Sequence, residues 1–221
     1  MHDILIEEKI LAENDRLAKE NREFFRQRGV VAINIISSPG AGKTSLIEKT
    51  APYLDRGGLE VAVIEGDLAT DLDSGRIARL SVPVRQITTG KACHLDAHNI
   101  SHLLPWVDEQ KKLKLLVIEN VGNMVCPAEY DLGERMKVTV MSVAEGDDKP
   151  LKYPAIFVAS DVLVINKTDL LPHTDFSMKA ARENALGINP SLKVFETSCR
   201  TGQGIEELSR LLLSLAGAAG G

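Results

Sequence analysis

Seven apolar runs are spaced along the chain and separated by more polar segments. Continuous rather than alternating apolar runs are typical of strands that are covered on both faces. Most of the segments between them have helical or mixed character, and strands that alternate with helices predict an α/β fold. We therefore expect a mostly parallel sheet of about seven strands with helices on both faces. The predicted strands are VVAINII (30–36), EVAVIE (60–65), VPVRQI (82–87), KLLVIEN (114–120), KVTVMSVA (137–144), DVLVINK (161–167) and LKVFETS (192–198).

The N-terminal segment has a different pattern. Residues 4–28 are rich in charge, contain neither Gly nor Pro, and are followed by Gly29. Within them Ile10, Leu17 and Phe24 recur every seven residues, which predicts a long helix with a narrow apolar stripe.

The length of 221 residues accommodates one α/β domain rather than two large ones. We predict a helix over residues 1–29 that packs on a single domain over residues 30–215. The tail AGAAGG (216–221) is small and Gly-rich and is predicted to be disordered.

The charge and the cysteine content exclude several classes. The net charge of -5, without a cluster of Lys or Arg, argues against a nucleic-acid partner. No run of 18 apolar residues is present and the acidic N-terminus lacks a secretory pattern, so we expect a cytoplasmic protein without a membrane partner. In that compartment Cys93, Cys126 and Cys199 are expected to stay reduced.

The segment SSPGAGKTS (37–45) links the first predicted strand to a helical segment. In that context backbone N–H groups and the helix dipole bind phosphate. Lys43 is expected to reach the terminal phosphates and to act in catalysis, and the Thr44 hydroxyl to bind Mg²⁺. The usual pattern G-x-x-x-x-G-K-[ST] begins with Gly, whereas position 37 is Ser. The predicted phosphate-binding residues are Gly40, Ala41, Gly42, Lys43, Thr44 and Ser45.

The tetrapeptide Asn166-Lys167-Thr168-Asp169 ends the sixth predicted strand and resembles the NKxD motif of GTP-binding proteins. A carboxylate at 169 can accept hydrogen bonds from the N1–H and the 2-amino group of guanine, and adenine offers no such pair. The segment TSCR (197–200) ends the next strand, where Ser198 and Cys199 are expected beside the base. These features predict GTP and GDP as ligands.

Acidic residues follow two other strands. Asp67 is a candidate to hold Mg²⁺ directly or through water, and Asp73 to orient the attacking water. The alternative for both is a helix-capping role. In ENVGN (119–123) Glu119 stands where GTPases commonly carry the Asp of DxxG, so we expect it at the magnesium and γ-phosphate side, with a catalytic role.

At this point the chain resembles a known family, over about residues 8–215. The segments SSPGAGKT, EGDLATD, TGKACHLDAH, IENVGNMVCPAEYDLGE and VINKTDL are similar to those of the HypB family, nickel-incorporating GTPases of [NiFe]-hydrogenase maturation. The resemblance implies a P-loop NTPase of the SIMIBI class, which includes signal-recognition and MinD-like proteins and commonly dimerises around nucleotide. It also implies a homodimer that works with hydrogenase maturation proteins and the hydrogenase large subunit.

The resemblance further implies a nickel or zinc site whose ligands match Cys93, His94 and Cys126. Thiolate and imidazole are ligands that suit both ions. A tetrahedral ion needs a fourth ligand, which water or a second subunit can supply. His98, one turn beyond His94, is a further candidate, with a surface histidine as the alternative. The residues before Cys93 contain no cysteine, so the CxxCGC nickel site of some members is not expected.

Three other functions are alternatives to a nickel-incorporating GTPase of hydrogenase maturation. A urease-type nickel-insertion GTPase carries Cys-Pro-His, whereas Cys126-Pro127 is followed here by Ala128. A P-loop small-molecule kinase would have no use for Asn166 to Asp169. A metal-dependent assembly module would bind GTP without useful turnover, and steady-state hydrolysis separates it from a GTPase.

Overall fold

A single seven-stranded sheet organises the chain, and every neighbouring pair of strands is parallel. The computed structural model describes residues 2–67, 76–77, 79, 82–90 and 92–218, with side chains from residue 8 onward. The strands are β1 (Val31–Ser37), β2 (Val61–Asp67), β3 (Val84–Thr88), β4 (Leu115–Gly122), β5 (Met136–Ser142), β6 (Val162–Asn166) and β7 (Lys193–Glu196). Their order in the sheet is β3-β2-β4-β1-β5-β6-β7. All seven predicted strands and their parallel arrangement are confirmed.

Helices connect the strands. The described helices are α1 (His2–Arg28), α2 (Lys43–Arg56), α3 (Ala97–Ser101), α4 (Leu104–Glu109), α5 (Lys149–Lys152), α6 (Pro154–Ala159), α7 (Met178–Ile188) and α8 (Ile205–Ala218). Two 3-10 helices lie at Cys126–Ala128 and Thr168–His173. Within the described ranges, each helix is too short or too polar to traverse a lipid bilayer.

The core has two sides, as predicted. On one face α2 and α8 pack on the central strands, with Leu46 of α2 and Leu208 of α8 in the same core cluster as Val117 of β4. On the other face α1, α3 and α4 cover β1, β2 and β4, while α6 and α7 cover β5 and β6. Because every strand points the same way, the carboxyl ends of β1, β2, β4 and β6 meet at one edge, where open α/β sheets bind ligands.

The helix α1 is confirmed, and its predicted apolar stripe is confirmed in part, because Phe24 packs against the core and Leu17 is half-buried. Ile10 is 53% exposed, whereas Asn14, Ala18, Asn21 and Phe25 form the buried face. The two asparagines are buried because their amides bind main-chain groups of the domain. Asn14 Nδ2 donates to the Asp131 carbonyl at 2.9 Å, and Asn21 Nδ2 donates to the Ala97 carbonyl at 2.9 Å.

The predicted disordered tail begins too early. The helix α8 extends to Ala218, so residues 216–218 are helical, and residues 219–221 lie outside the described residues. Ala216 is 4% exposed, which shows that the apolar stripe of α8 includes the start of the predicted tail. Small residues are compatible with a helix end that packs on the sheet.

Candidate functional site

The predicted phosphate loop lines a cavity of about 370 Å³ at the carboxyl edge of the sheet. The helix α2 begins at Lys43, so the loop residues before it lie at a helix N-terminus, as phosphate binding requires. Lys43 is 9% exposed, and its Nζ donates to Ser37 Oγ at 3.2 Å. Of the predicted residues, Gly40, Gly42, Lys43, Thr44 and Ser45 border the cavity, together with Glu119 and Asp67.

The replacement of Gly by Ser at position 37 needs no special backbone geometry. Ser37 is the last residue of β1, and among the described non-glycine residues only Lys167 has a positive φ. The positive φ values of the loop occur at Gly40 (76°) and Gly42 (105°). At Gly42 a Cβ would also lie 2.5 Å from Asn166 Nδ2, so this position has no room for a side chain.

Carboxylates gather on the β2 and β4 side of the same cavity. The hydroxyl Oγ1 of Thr44 donates to Glu119 Oε1 at 2.8 Å, and Glu119 is 4% exposed. Asp67, the last residue of β2, borders the cavity beside Glu65. One hydroxyl and several carboxylates form the oxygen-rich donor set that Mg²⁺ prefers, so these residues fit the ion that the motif implies. Asp73 lies outside the described residues.

Two basic residues near the phosphate loop were not found from the sequence. Arg76 borders the cavity, where its Nη2 donates to Ser45 Oγ at 3.0 Å and to Glu48 Oε2 at 2.7 Å. Lys149 is 7% exposed and its Nζ donates to Ser38 Oγ at 2.5 Å. Neither belongs to a short motif, and only the tertiary fold brings them to the loop.

The predicted base-binding residues adjoin the phosphate loop. Asn166 Nδ2 donates to the Ala41 carbonyl at 3.0 Å, and Lys167 Nζ donates to the Gly40 carbonyl at 2.6 Å. The NKxD segment therefore binds the phosphate loop, and it also forms one wall of a second cavity. That cavity, of about 340 Å³, includes Asp169 and Cys199 in its lining.

A hydroxyl orients the carboxylate that was predicted to recognise guanine. Ser198 Oγ donates to Asp169 Oδ1 at 2.6 Å, and the Asp169 side chain is 14% exposed. Cys199 Sγ lies 3.6 Å from Asn166 Oδ1. Burial raises the pKa of the Cys199 thiol, which keeps it neutral beside the base pocket.

Cys93, His94 and Cys126 come together as a second site. The Sγ of Cys93 lies 3.2 Å from Cys126 Sγ and 3.7 Å from His94 Nδ1. All three ligand atoms lie within 4.8 Å of one another, and no other group of three His, Cys, Asp or Glu with this geometry occurs in the described part of the chain. Two sulfurs and an imidazole nitrogen suit Zn²⁺ or Ni²⁺.

The environment of these ligands sets their protonation. The hydrogen bond with Cys93 raises the pKa of the Cys126 thiol, and partial burial raises it further. Burial lowers the pKa of His94, whose ring lies 4.0 Å from the Tyr130 ring between centroids. The imidazole is therefore held in the neutral form that binds metals, and an ion must displace thiol protons to bind.

His98, the further candidate for a ligand, does not join this group. Its Nε2 lies 2.9 Å from His102 Nε2, and both side chains are exposed. His94 and His98, four residues apart, do not share one helix, because α3 begins at Ala97 and His94 precedes it in a loop. The prediction of His98 as a ligand is not supported by this geometry.

Comparisons with known proteins identify the family of the chain. The chain matches the family described as CobW/HypB/UreG, nucleotide-binding domain, over residues 31–196. It is 52% identical to hydrogenase maturation factor HypB of Azotobacter vinelandii over 202 residues, which are 91% of this chain and 66% of that protein. The chain therefore spans about two thirds of the length of that curated relative.

Two solved structures have the same fold. The crystal structure of HypB from Archaeoglobus fulgidus has a TM-score of 0.85 and 40% identity, and covers 93% of this chain and 99% of that chain. The crystal structure of HypB from Helicobacter pylori in complex with nickel has a TM-score of 0.88 and 37% identity, and covers 92% and 95%. The predicted P-loop NTPase fold and the resemblance are confirmed: the chain belongs to the CobW/HypB/UreG family and, within it, to the HypB hydrogenase maturation factors.

Proposed function

We propose that this chain is a GTP-hydrolysing metallochaperone that binds nickel or zinc and assists nickel insertion into [NiFe]-hydrogenase. It acts in the cytoplasm as a homodimer, with other hydrogenase maturation proteins and the hydrogenase large subunit as partners. One observation carries the proposal: strand β4 leads from the phosphate cavity at Glu119 to the cysteine cluster at Cys126, seven residues further on. The name of its relatives and the nickel bound to the Helicobacter pylori protein support the metal and the target.

Distinct roles are proposed for the residues of the nucleotide site. Lys43 stabilises the charge of the transferring phosphoryl group, and the loop amides and the N-terminus of α2 hold the phosphates. Thr44, Asp67 and Glu119 hold Mg²⁺, which neutralises phosphate charge when it is bound. Asp169, oriented by Ser198, selects guanine, and Asp73 orients the attacking water.

The metal site is open and shared between subunits. Cys93, His94 and Cys126 supply three ligands, which leaves a tetrahedral ion one short. Cys93 is exposed, and Val125 beside Cys126 is 58% exposed, so a second copy can reach the ion. An open coordination position also suits a protein that passes its metal on.

The two sites are in contact through the end of β4. At Gly122 a Cβ would lie 3.0 Å from the Cα of Pro39, so the phosphate loop rests directly on this strand. Asn123 Nδ2 then donates to the Cys93 carbonyl at 3.3 Å, and Cys126 opens the following 3-10 helix. Loops that sense a γ-phosphate reorder when it leaves. A metal–sulfur bond tolerates only a few tenths of an ångström, so we propose that the nucleotide state changes metal affinity.

Replacing Cys93 or His94 by alanine is expected to weaken nickel and zinc binding by more than about 100-fold, because a ligand is lost from a site that has three. In the same variants, added metal should no longer increase the mass fraction of the dimer. Affinity is measured by competition with a colorimetric chelator, and mass by light scattering on the same samples.

The matched control is His173→Ala, because His173 lies at the end of the second 3-10 helix, outside the cluster. It should bind metal as the unmodified chain does. Unchanged affinity in Cys93→Ala would refute the metal site. Tight binding of one ion by a strictly monomeric protein would refute the sharing between subunits.

A further inference from the structure

The two halves of the metal site are attached to the domain in different ways. Cys126 lies in the segment after β4, beside Val125, which is 58% exposed. Cys93 and His94 precede Leu95, which is fully buried and packs onto Gly66 of β2, where a Cβ would lie 2.8 Å from Leu95 Cγ. Met124 and Pro127 near Cys126 are also buried, so the difference lies in what each half follows: Cys93 and His94 are fixed through Leu95 to β2, whereas Cys126 continues from the end of β4, where Gly122 touches the phosphate loop.

Three buried asparagines hold the backbone just after His94. The Leu95 N–H donates to Asn120 Oδ1 at 3.0 Å. The Ala97 N–H donates to Asn14 Oδ1 at 2.9 Å, and the Ala97 carbonyl accepts from Asn21 Nδ2 at 2.9 Å. Asn14 and Asn21 lie on separate turns of α1, and Asn120 lies in β4, so the segment is bound both to the helix and to the sheet.

Asn120 has one possible orientation. Its Oδ1 also accepts from the Val121 N–H at 2.9 Å, and backbone N–H groups can only donate. Its Nδ2 must therefore face Asn34, whose Oδ1 accepts it at 3.2 Å. Asn34 Nδ2 in turn donates to Glu134 Oε1 at 3.2 Å. Asn120 and Asn34 are 1% and 0% exposed, so rotation of either amide would break bonds that water cannot replace.

Asn120 also lies between the residues of β4 that adjoin the nucleotide site. It follows Glu119, which borders the phosphate cavity, and it precedes Gly122, which touches the phosphate loop. A reordering that begins at Gly122 can displace Cys126, while the side chain of Asn120 keeps Leu95 in register with the buried part of β4. The distance between the two halves then depends on the nucleotide.

We propose that Asn120 is a positioning residue that fixes the Cys93–His94 half of the metal site to the sheet, so that movement of Cys126 changes metal affinity. Without this anchor the segment keeps only its bonds to α1, so the Cys93–His94 half follows Cys126 more freely and the two nucleotide states hold the ion with more similar affinity. This inference rests on the coupling in the proposed function and names the residue through which it acts.

The test compares nickel affinity in GDP and in a non-hydrolysable GTP analogue for the unmodified chain and for Asn120→Ala. We expect a ratio of at least about fivefold in the unmodified chain and of less than about twofold in the variant. Asn120 borders the phosphate cavity, but its side chain is bound to Leu95 and Asn34, so GDP affinity should stay within about threefold. The control is Asn189→Ala, which removes bonds to the carbonyls of Phe157 and Ser160 far from β4, and it should keep the full ratio.

A second variant, Asn14→Ala, removes one anchor from α1 without touching the sheet, and it should lower the ratio even if Asn120→Ala does not fold. The positioning role is overturned if the folded Asn120→Ala variant keeps the full ratio of nickel affinities. If Asn120→Ala does not fold, a full ratio in Asn14→Ala overturns it instead. Either result leaves the proposed function intact. A ratio of one in the unmodified chain overturns the coupling itself, and the positioning role with it.

Discussion

Replacing Lys43 by alanine is expected to slow GTP hydrolysis by at least about 100-fold. The substitution removes a preorganised cation that stabilises the negative charge of the transition state. Lys43 is almost fully buried at the N-terminus of α2 and borders the phosphate cavity, and its ammonium group donates to Ser37 Oγ. Bulk water cannot replace it there. The measurement is steady-state phosphate release at saturating GTP and Mg²⁺.

The control for this prediction is Lys179→Ala, since Lys179 is an exposed residue of α7 that pairs with Glu183. Its rate should match that of the unmodified chain. Turnover of Lys43→Ala within about twofold of normal would mean that residues 37–45 do not form the phosphate site.

Replacing Asp169 by asparagine is expected to weaken GTP binding by about 100-fold and to shift preference toward xanthosine triphosphate. The amide keeps one acceptor oxygen but places a donor where the second oxygen was, so the 2-amino group of guanine loses its acceptor, and such an unsatisfied buried partner costs about 1–3 kcal/mol. An amide can instead donate to the 2-oxo group of xanthine. Competition binding with a fluorescent guanine nucleotide, repeated with xanthosine triphosphate, measures both effects.

Asp175→Asn serves as the control, because Asp175 is exposed and follows the 3-10 helix that contains Asp169. Its nucleotide preference should be unchanged. Equal GTP affinity in Asp169→Asn and the unmodified chain would remove guanine recognition from this residue and reopen the kinase alternative.

The sheet could be predicted from the sequence because its strands are buried on both faces. EVAVIE (60–65) lies within or beside β2, and the other six apolar runs likewise mark the strands, with boundaries that differ by a few residues. Their parallel direction followed from the helical segments between them. The strand ends then predicted where the ligand-binding loops would meet.

The anchoring residues could not be predicted, because their roles depend on distant partners. Asn14, Asn21 and Asn120 are polar, and a pattern of apolar residues does not place them in a core. Each is buried because it binds a main-chain group that is distant along the chain. The separation is 76 to 117 residues for Asn14 and Asn21, and 25 residues for Asn120. A single sequence contains no signal for such pairings.

The candidate sites divide in the same way. The phosphate loop and the NKxD segment are contiguous in sequence, so their chemistry could be predicted from local spacing. The pairing of Cys93 with Cys126 spans 33 residues, and the family resemblance rather than spacing implied it. Arg76 and Lys149 reach the phosphate loop only through the fold, and His98 shows that regular spacing alone does not make a ligand.

We expect nucleotide and metal to affect each other through the segment from Glu119 to Cys126. The most direct measurement is the nickel affinity of the unmodified chain in GDP and in a non-hydrolysable GTP analogue, together with the affinity of each nucleotide with and without nickel. Nickel affinities should differ by at least about fivefold between the two nucleotides, and nickel should shift the nucleotide affinities by the same factor, since coupling is reciprocal. Equal nickel affinities in the two nucleotide states would contradict it.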